Sequence, residues 1–130
     1  MWYKPINESE LSTPSVLVFP DRIEENIRRM IAIAGDVQRL RPHVKTHKMA
    51  EVVRLQVKHG ISKFKCATLA EVALVAANGG GDILLAYPLL GPGAQIFLDL
   101  VSLYPDVEFA VCVDSLVSCG FLGDLAESNE

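Results

Sequence analysis

Arg41-Pro42-His43-Val44-Lys45-Thr46-His47-Lys48 is the stretch on which the reading of this chain turns. Its alternation predicts a short strand. Side chains two apart share a face, so Arg41, His43 and Lys45 point one way and Pro42, Val44 and Thr46 the other. Three basic groups on one face of an interior strand cost desolvation free energy unless an anion meets them. A phosphorylated ligand meets that demand. A lysine among cations sheds its proton more readily, and a neutral amine is what attacks an aldehyde to form an imine. An exposed basic loop is the competing explanation of the same residues.

Strand and helix signals alternate on both sides of this octapeptide. Ser15 to Phe19 predicts a strand, and Asp21 is expected to cap the helix that follows to about Ala34. Ile23, Ile27, Met30, Ile31 and Ala34 form its apolar stripe, and Gly35 ends it. A second helix is expected from Met49 to His59, stopping at Gly60. Lys63 to Ala67 predicts a strand, and Thr68 with Glu71 a capping box for a helix ending near Asn78. Gly79, Gly80 and Gly81 turn the chain into a strand from Asp82 to Tyr87. After the Pro88-to-Gly93 loop come a helix from Ala94 to Leu103, a strand from Val107 to Val113, and a last helix starting near Ser115.

The five strands centre near Leu17, His43, Lys65, Leu84 and Ala110. Strands and helices alternating at this spacing predict an α/β fold of parallel strands joined by right-handed crossovers. A doubly wound sheet and part of a (β/α)8 TIM-type barrel both fit. Basic groups facing inward on the second strand suit a barrel mouth, where strand C-terminal ends meet ligands. Lys45 lies at that end of its strand. A whole barrel takes ~250 residues, so about five β/α units make a partial barrel, with residues 1–130 forming one domain.

Composition narrows the function classes. Half of the chain is hydrophobic and 22% is charged, which excludes disorder as the main state. A net charge of −4 argues against a nucleic-acid partner. No apolar run approaches the ~18 residues of a membrane span. Cys66, Cys112 and Cys119 are an odd set without tight spacing, expected as buried free thiols in a reducing, cytoplasmic setting.

Several motifs have plainer explanations than chemistry. His43 and His47 are spaced as on a zinc helix, but Pro42 opposes a helix and no third ligand is near. The glycine run follows a helix and precedes a strand, the reverse of a phosphate loop. Gln56 reads as a buried amide bonded to backbone, and Asp114 as a helix-start residue. Thr68 caps a helix that begins on the ligand side, so capping and ligand contact are compatible.

Taken together, these residues resemble a known family. The octapeptide is similar to the cofactor-lysine segment of D-threonine aldolases and D-serine dehydratases. Their N-terminal domain resembles that of alanine racemase, fold type III of the pyridoxal phosphate enzymes. Thr13-Pro14-Ser15, Asn26-Ile27 with Met30, Cys66-Ala67-Thr68-Leu69-Ala70-Glu71, Asp82-Ile83-Leu84-Leu85-Ala86 and Val113-Asp114-Ser115 extend the likeness along the chain. The resemblance implies that Lys45 is catalytic and forms an imine with pyridoxal 5'-phosphate, with His43, Arg41 and Thr68 also meeting the cofactor. It implies a lyase of β-hydroxy D-amino acids, by retro-aldol cleavage of D-threonine-like or dehydration of D-serine-like substrates. It also implies a divalent metal, zinc or manganese, whose ligands this chain does not carry. By the same likeness the later barrel strands and a C-terminal β domain are absent, so the chain alone is expected to have little activity and to form a homo-oligomer. A non-catalytic pyridoxal phosphate-binding homeostasis protein of the same fold, or an inactive fragment, is the alternative.

Overall fold

Burial alternates with period two along three short strands, and this sets the architecture of the computed structural model, which describes residues 2–128. Strand β1 is Lys63–Cys66, β2 is Asp82–Leu85 and β3 is Glu108–Val111. Phe64, Cys66, Ile83 and Leu85 are fully buried, while Lys63, Lys65, Asp82 and Leu84 on the opposite face are only partly covered. The order is β1-β2-β3, all parallel, with Lys63 level with Asp82 and Glu108, and Lys65 level with Leu84 and Ala110.

Five α-helices frame the sheet: α1 Pro20–Ala34, α2 Ala50–Lys58, α3 Leu69–Ala76, α4 Pro92–Leu103 and α5 Leu116–Glu127. Each packs on its successor or predecessor in turn, and α3 packs on both β1 and β2. Sequential strand order with neighbouring helices on one side is the wall of a barrel. A doubly wound sheet would reverse strand order and place helices on both faces. The fold is therefore α/β, a partial TIM-type barrel. Its core joins Ile27, Val44, Val53, Ile61, Phe64, Val72, Val75, Ile83, Leu85 and Phe97. Full burial of one such large side chain contributes roughly 1.5–3 kcal/mol, so the wall is held mainly from its helical side.

Two expected strands are not strands. Ser15–Phe19 runs extended without ladder pairing, and Val16 is 79% exposed. The octapeptide meets the sheet at one point, a parallel bridge of His43 to Lys65, with the Lys65 N–H donating to the Pro42 carbonyl at 2.9 Å. It then tightens into a 3-10 turn, Val44–Thr46. The physical reason is local competition for backbone donors. The Lys45 N–H donates to His43 Nδ1 at 3.2 Å, and the His47 and Lys48 N–H groups both donate to the Val44 carbonyl, at 3.1 and 2.9 Å. Those donors are lost to a ladder.

Caps differ in detail from expectation. Pro20, not a residue capped by Asp21, opens α1 after Phe19. Proline suits the first helical position because its missing N–H has no partner there anyway. Gly35 ends α1 in the left-handed region, donating its N–H to Ile31. Cys66 is buried, but Cys112 and Cys119 are exposed, contrary to the expectation of buried thiols; all three are free. No described helix is long and apolar enough to cross a membrane.

Candidate functional site

The octapeptide is where cations gather, and the structure divides them between two levels. Arg41 lies low, at the N-terminal ends of the strands. Its guanidinium donates to both oxygens of Asp82, at 2.6 and 2.5 Å, and reaches the Phe64 and Asp82 carbonyls at 3.4 Å. Asp82 above all, then Glu108, hold the Arg41 pKa above its ordinary value. The sequence groups Arg41 with Lys45 and His43 around one ligand; in the structure its guanidinium is engaged by Asp82. The anion it needed is a carboxylate of this chain.

His43 is level with Lys65, and Lys45 follows two residues on, in the turn that leaves this bridge in the direction of the strand C-terminal ends. Burial, then the Lys45 and Lys65 charges, push the His43 pKa down. The imidazole is thus held neutral among cations. Lys45 is exposed, and among the described residues no carboxylate lies within ion-pair distance of its ammonium. Its backbone is fixed all the same, because Val44 is fully buried next to it.

Thr68 performs the expected cap. Its Oγ1 accepts from the Glu71 N–H at 3.2 Å. The reciprocal half of the box is displaced by one residue, since Glu71 Oε2 accepts from the Ala67 N–H at 2.7 Å rather than from Thr68. Thr68 keeps its own O–H donor. It lines a cavity of about 620 Å³ at the strand C-terminal ends, together with Ala67, Tyr87, Pro88, Leu90 and Asp114. Lys45 is not among the lining residues of that cavity. Asp114 accepts from the Ser118 hydroxyl at 3.3 Å, while Ser115 caps α5.

Sequence reasoning missed a second cavity, of about 610 Å³, bounded by Leu17, Phe19, Met30, His47, Met49 and Gln56 among others. His47 Nδ1 accepts from the Met49 N–H at 3.1 Å, and burial lowers the pKa of this ring. His47 Nε2 and Gln56 Oε1 are buried without hydrogen-bond partners among the described residues. Gln56 is 7% exposed, so the expected backbone bond to its oxygen is not made. Only the two-residue offset from His47 to Met49, where a side chain can bond the backbone, hinted at this arrangement. Burial pushes the Cys66 thiol up to about 12, leaving it inert at neutral pH.

The residues suit a phosphorylated aldehyde in kind. An unpaired primary amine, a neutral imidazole and a helix start all lie toward the strand C-terminal ends, and the charges pressing on His43 are mostly positive. Among the described residues no three of His, Cys, Asp and Glu come together as a metal site.

Residues 18–115 match the family model described as alanine racemase, N-terminal domain. D-threonine aldolase of Arthrobacter sp is 31% identical over 109 residues, covering 82% of this chain and 28% of that protein. D-threo-3-hydroxyaspartate dehydratase of Delftia sp. (strain HT23) is 42% identical over 78 residues, 58% of this chain and 20% of that protein. 3-Hydroxy-D-aspartate aldolase of Paracoccus denitrificans (strain Pd 1222) is 30% identical over 128 residues, 95% and 32%. The crystal structure of D-threonine aldolase from Filomicrobium marinum matches with a TM-score of 0.78 at 23% identity, over 91% of this chain and 32% of that one. That likeness shows the fold. The chain spans 20% to 32% of the length of these relatives.

Proposed function

Because the chain belongs to the family described as alanine racemase, N-terminal domain, we propose that it is the lysine-bearing part of a pyridoxal 5'-phosphate-dependent lyase acting on β-hydroxy D-amino acids. Its named relatives cleave or dehydrate such compounds, D-threonine and 3-hydroxy-D-aspartate among them. Retro-aldol cleavage of a D-threonine-like substrate and dehydration of a D-serine-like one are the two outcomes open to the site. When bound, the cofactor would supply an electron sink for the carbanion through which either reaction passes.

The observation that carries the reading is Lys45: an exposed amine with no ion-pair partner among the described residues, on a turn whose neighbour Val44 is locked in the core. Lys45 would hold the cofactor through Nζ, and the same nitrogen could accept or give a proton beside the substrate. His43, neutral beside it, leaves the cluster tolerant of the anionic phosphate without adding a third mobile charge. Thr68 offers its O–H, and the start of α3 its positive dipole end, to acceptors entering the cavity. Arg41 contributes by fixing the start of the octapeptide to Asp82. The zinc or manganese of the family would draw its ligands from outside the described residues.

The exposed apolar side chains Leu116 and Val117 on α5 support self-association as a homo-oligomer. Three free thiols support a reducing, cytoplasmic setting.

The test is reductive trapping. The chain is incubated with pyridoxal phosphate, reduced with borohydride and digested, and the labelled peptide is mapped. Label concentrated on Lys45 is the expected result; label spread evenly over surface lysines overturns the reading. Turnover of D-threonine or D-serine with added zinc or manganese then separates a lyase from a binding protein.

A further inference from the structure

Glu71 does more than a helix cap requires. Its side chain is 3% exposed, a costly place for a carboxylate. One oxygen, Oε2, satisfies the Ala67 N–H. A glutamine could do that equally well. The other, Oε1, is buried without a directed hydrogen bond and faces the Lys48 ammonium at 3.3 Å. Lys48 closes the octapeptide and is held at φ 51, in the left-handed region that strains a non-glycine residue. A strained backbone and a buried charge meet at this one pair.

The pair joins two segments that the proposed chemistry needs in fixed relation. Lys48 ends the turn that carries Lys45, and its N–H donates to Val44. Glu71 belongs to the segment after β1, where Ala67 and Thr68 line the mouth cavity. The turn is otherwise attached at His43, by its bridge to Lys65, and at Val44, by burial. Among the described residues no other hydrogen bond or ion pair fastens its far end to α3. Glu71 is also the carboxylate whose charge reaches His43 and His47.

We infer that Glu71, through its ion pair with Lys48, is a positioning residue that holds the Lys45 turn against the start of α3. The inference rests on the proposed role of Lys45 but is separable from it. Glu71→Gln keeps an acceptor for Ala67 and removes the charge. Lys48→Met removes the ammonium from a side chain that is 60% exposed, where folding is least at risk, and Lys48→Arg restores a cation.

Two readouts are taken on the full chain. The first needs no cofactor: hydrogen exchange of the His47 and Lys48 amides, both bonded to Val44. Faster exchange in Glu71→Gln and Lys48→Met, with the exchange of β1 and β2 unchanged and Lys48→Arg near wild type, supports the inference. The second is the rate of reductive trapping at Lys45, expected to fall about tenfold in the same two variants, the scale on which misplacing a reacting group acts. Unchanged exchange and unchanged trapping in Lys48→Met overturn it and leave Glu71 a helix cap. If wild type itself fails to label at Lys45, the functional reading falls, and the exchange data alone decide the role of Glu71. Should Glu71→Gln fail to fold, the Lys48 pair of variants still decides.

Discussion

The two ends of the parallel strands treat a basic side chain in opposite ways. At the N-terminal ends Arg41 is spent on Asp82, with Glu108 adding to the field. Toward the C-terminal ends Lys45 extends from a buried anchor and, among the described residues, meets no carboxylate. A charge paired inside the protein serves the fold, while one anchored but left unpaired is available to a ligand. The two cations are only four residues apart in sequence, so residue type alone does not separate them.

The sharpest way to break this contrast is at Lys45. Lys45→Ala should abolish site-selective capture of pyridoxal phosphate, yet shift unfolding free energy by no more than about 0.5 kcal/mol, as for an exposed residue. A large stability loss in urea titration would place Lys45 with Arg41 among structural groups. The opposite end gives the opposite pattern. Asp82→Ala strands a guanidinium and should cost about 2–3 kcal/mol, less than for a fully buried pair because both partners keep some exposure. Labelling of Lys45 in the folded fraction should survive it.

Thr68, at the C-terminal ends, should show an intermediate effect. Thr68→Ala removes the cap of α3 and should cost about 1 kcal/mol. Thr68→Ser retains the oxygen and should recover most of it, as read by thermal unfolding of the two variants side by side.

The smallest effect is electrostatic. Burial holds His47 below its ordinary value of 6.5 in the folded state. The unfolded chain therefore takes the proton first, so the contribution of the neutral ring is present above that value and is lost as pH falls through the folded one. His47→Asn keeps an acceptor for the Met49 N–H and removes the titration. Its loss of stability between about pH 7.5 and 5 should be smaller than that of wild type. Equal losses would show that the ring is protonated without penalty. His43 is lowered as well and still titrates in this variant, so the difference isolates His47.

Much of the barrel wall was legible in the sequence because each element carried its own punctuation. Phe64, Ile83 and Leu85 alternate with polar or half-covered partners, and glycine or proline bounds the elements between. Thr68 and Ser115 announce helices that the structure begins within a residue of the expected place. The octapeptide misled because its alternation is real while its backbone bonds are not those of a ladder. His43 accepts from an amide two residues on, an interaction indifferent to the side-chain period. Ser15–Phe19 has strand composition but no partner among the described residues, and pairing is not a property of a single segment. Arg41 could not be assigned from its neighbours, since its carboxylate lies 41 residues downstream. The cofactor role proposed for Lys45 rests on the octapeptide's likeness to a family rather than on periodicity.

Gly80 carries a consequence for how the mouth can change. A methyl group there would overlap Val75 Cγ1 and approach the Val75 carbonyl at 3.2 Å, so the end of α3 rests directly on the chain entering β2. With its tail seated against backbone, α3 has no room to slide, and its opposite tip presents Thr68 as a fixed post. Variation in what the mouth admits then falls to Tyr87 and Leu90, exposed side chains that can be exchanged without moving that post.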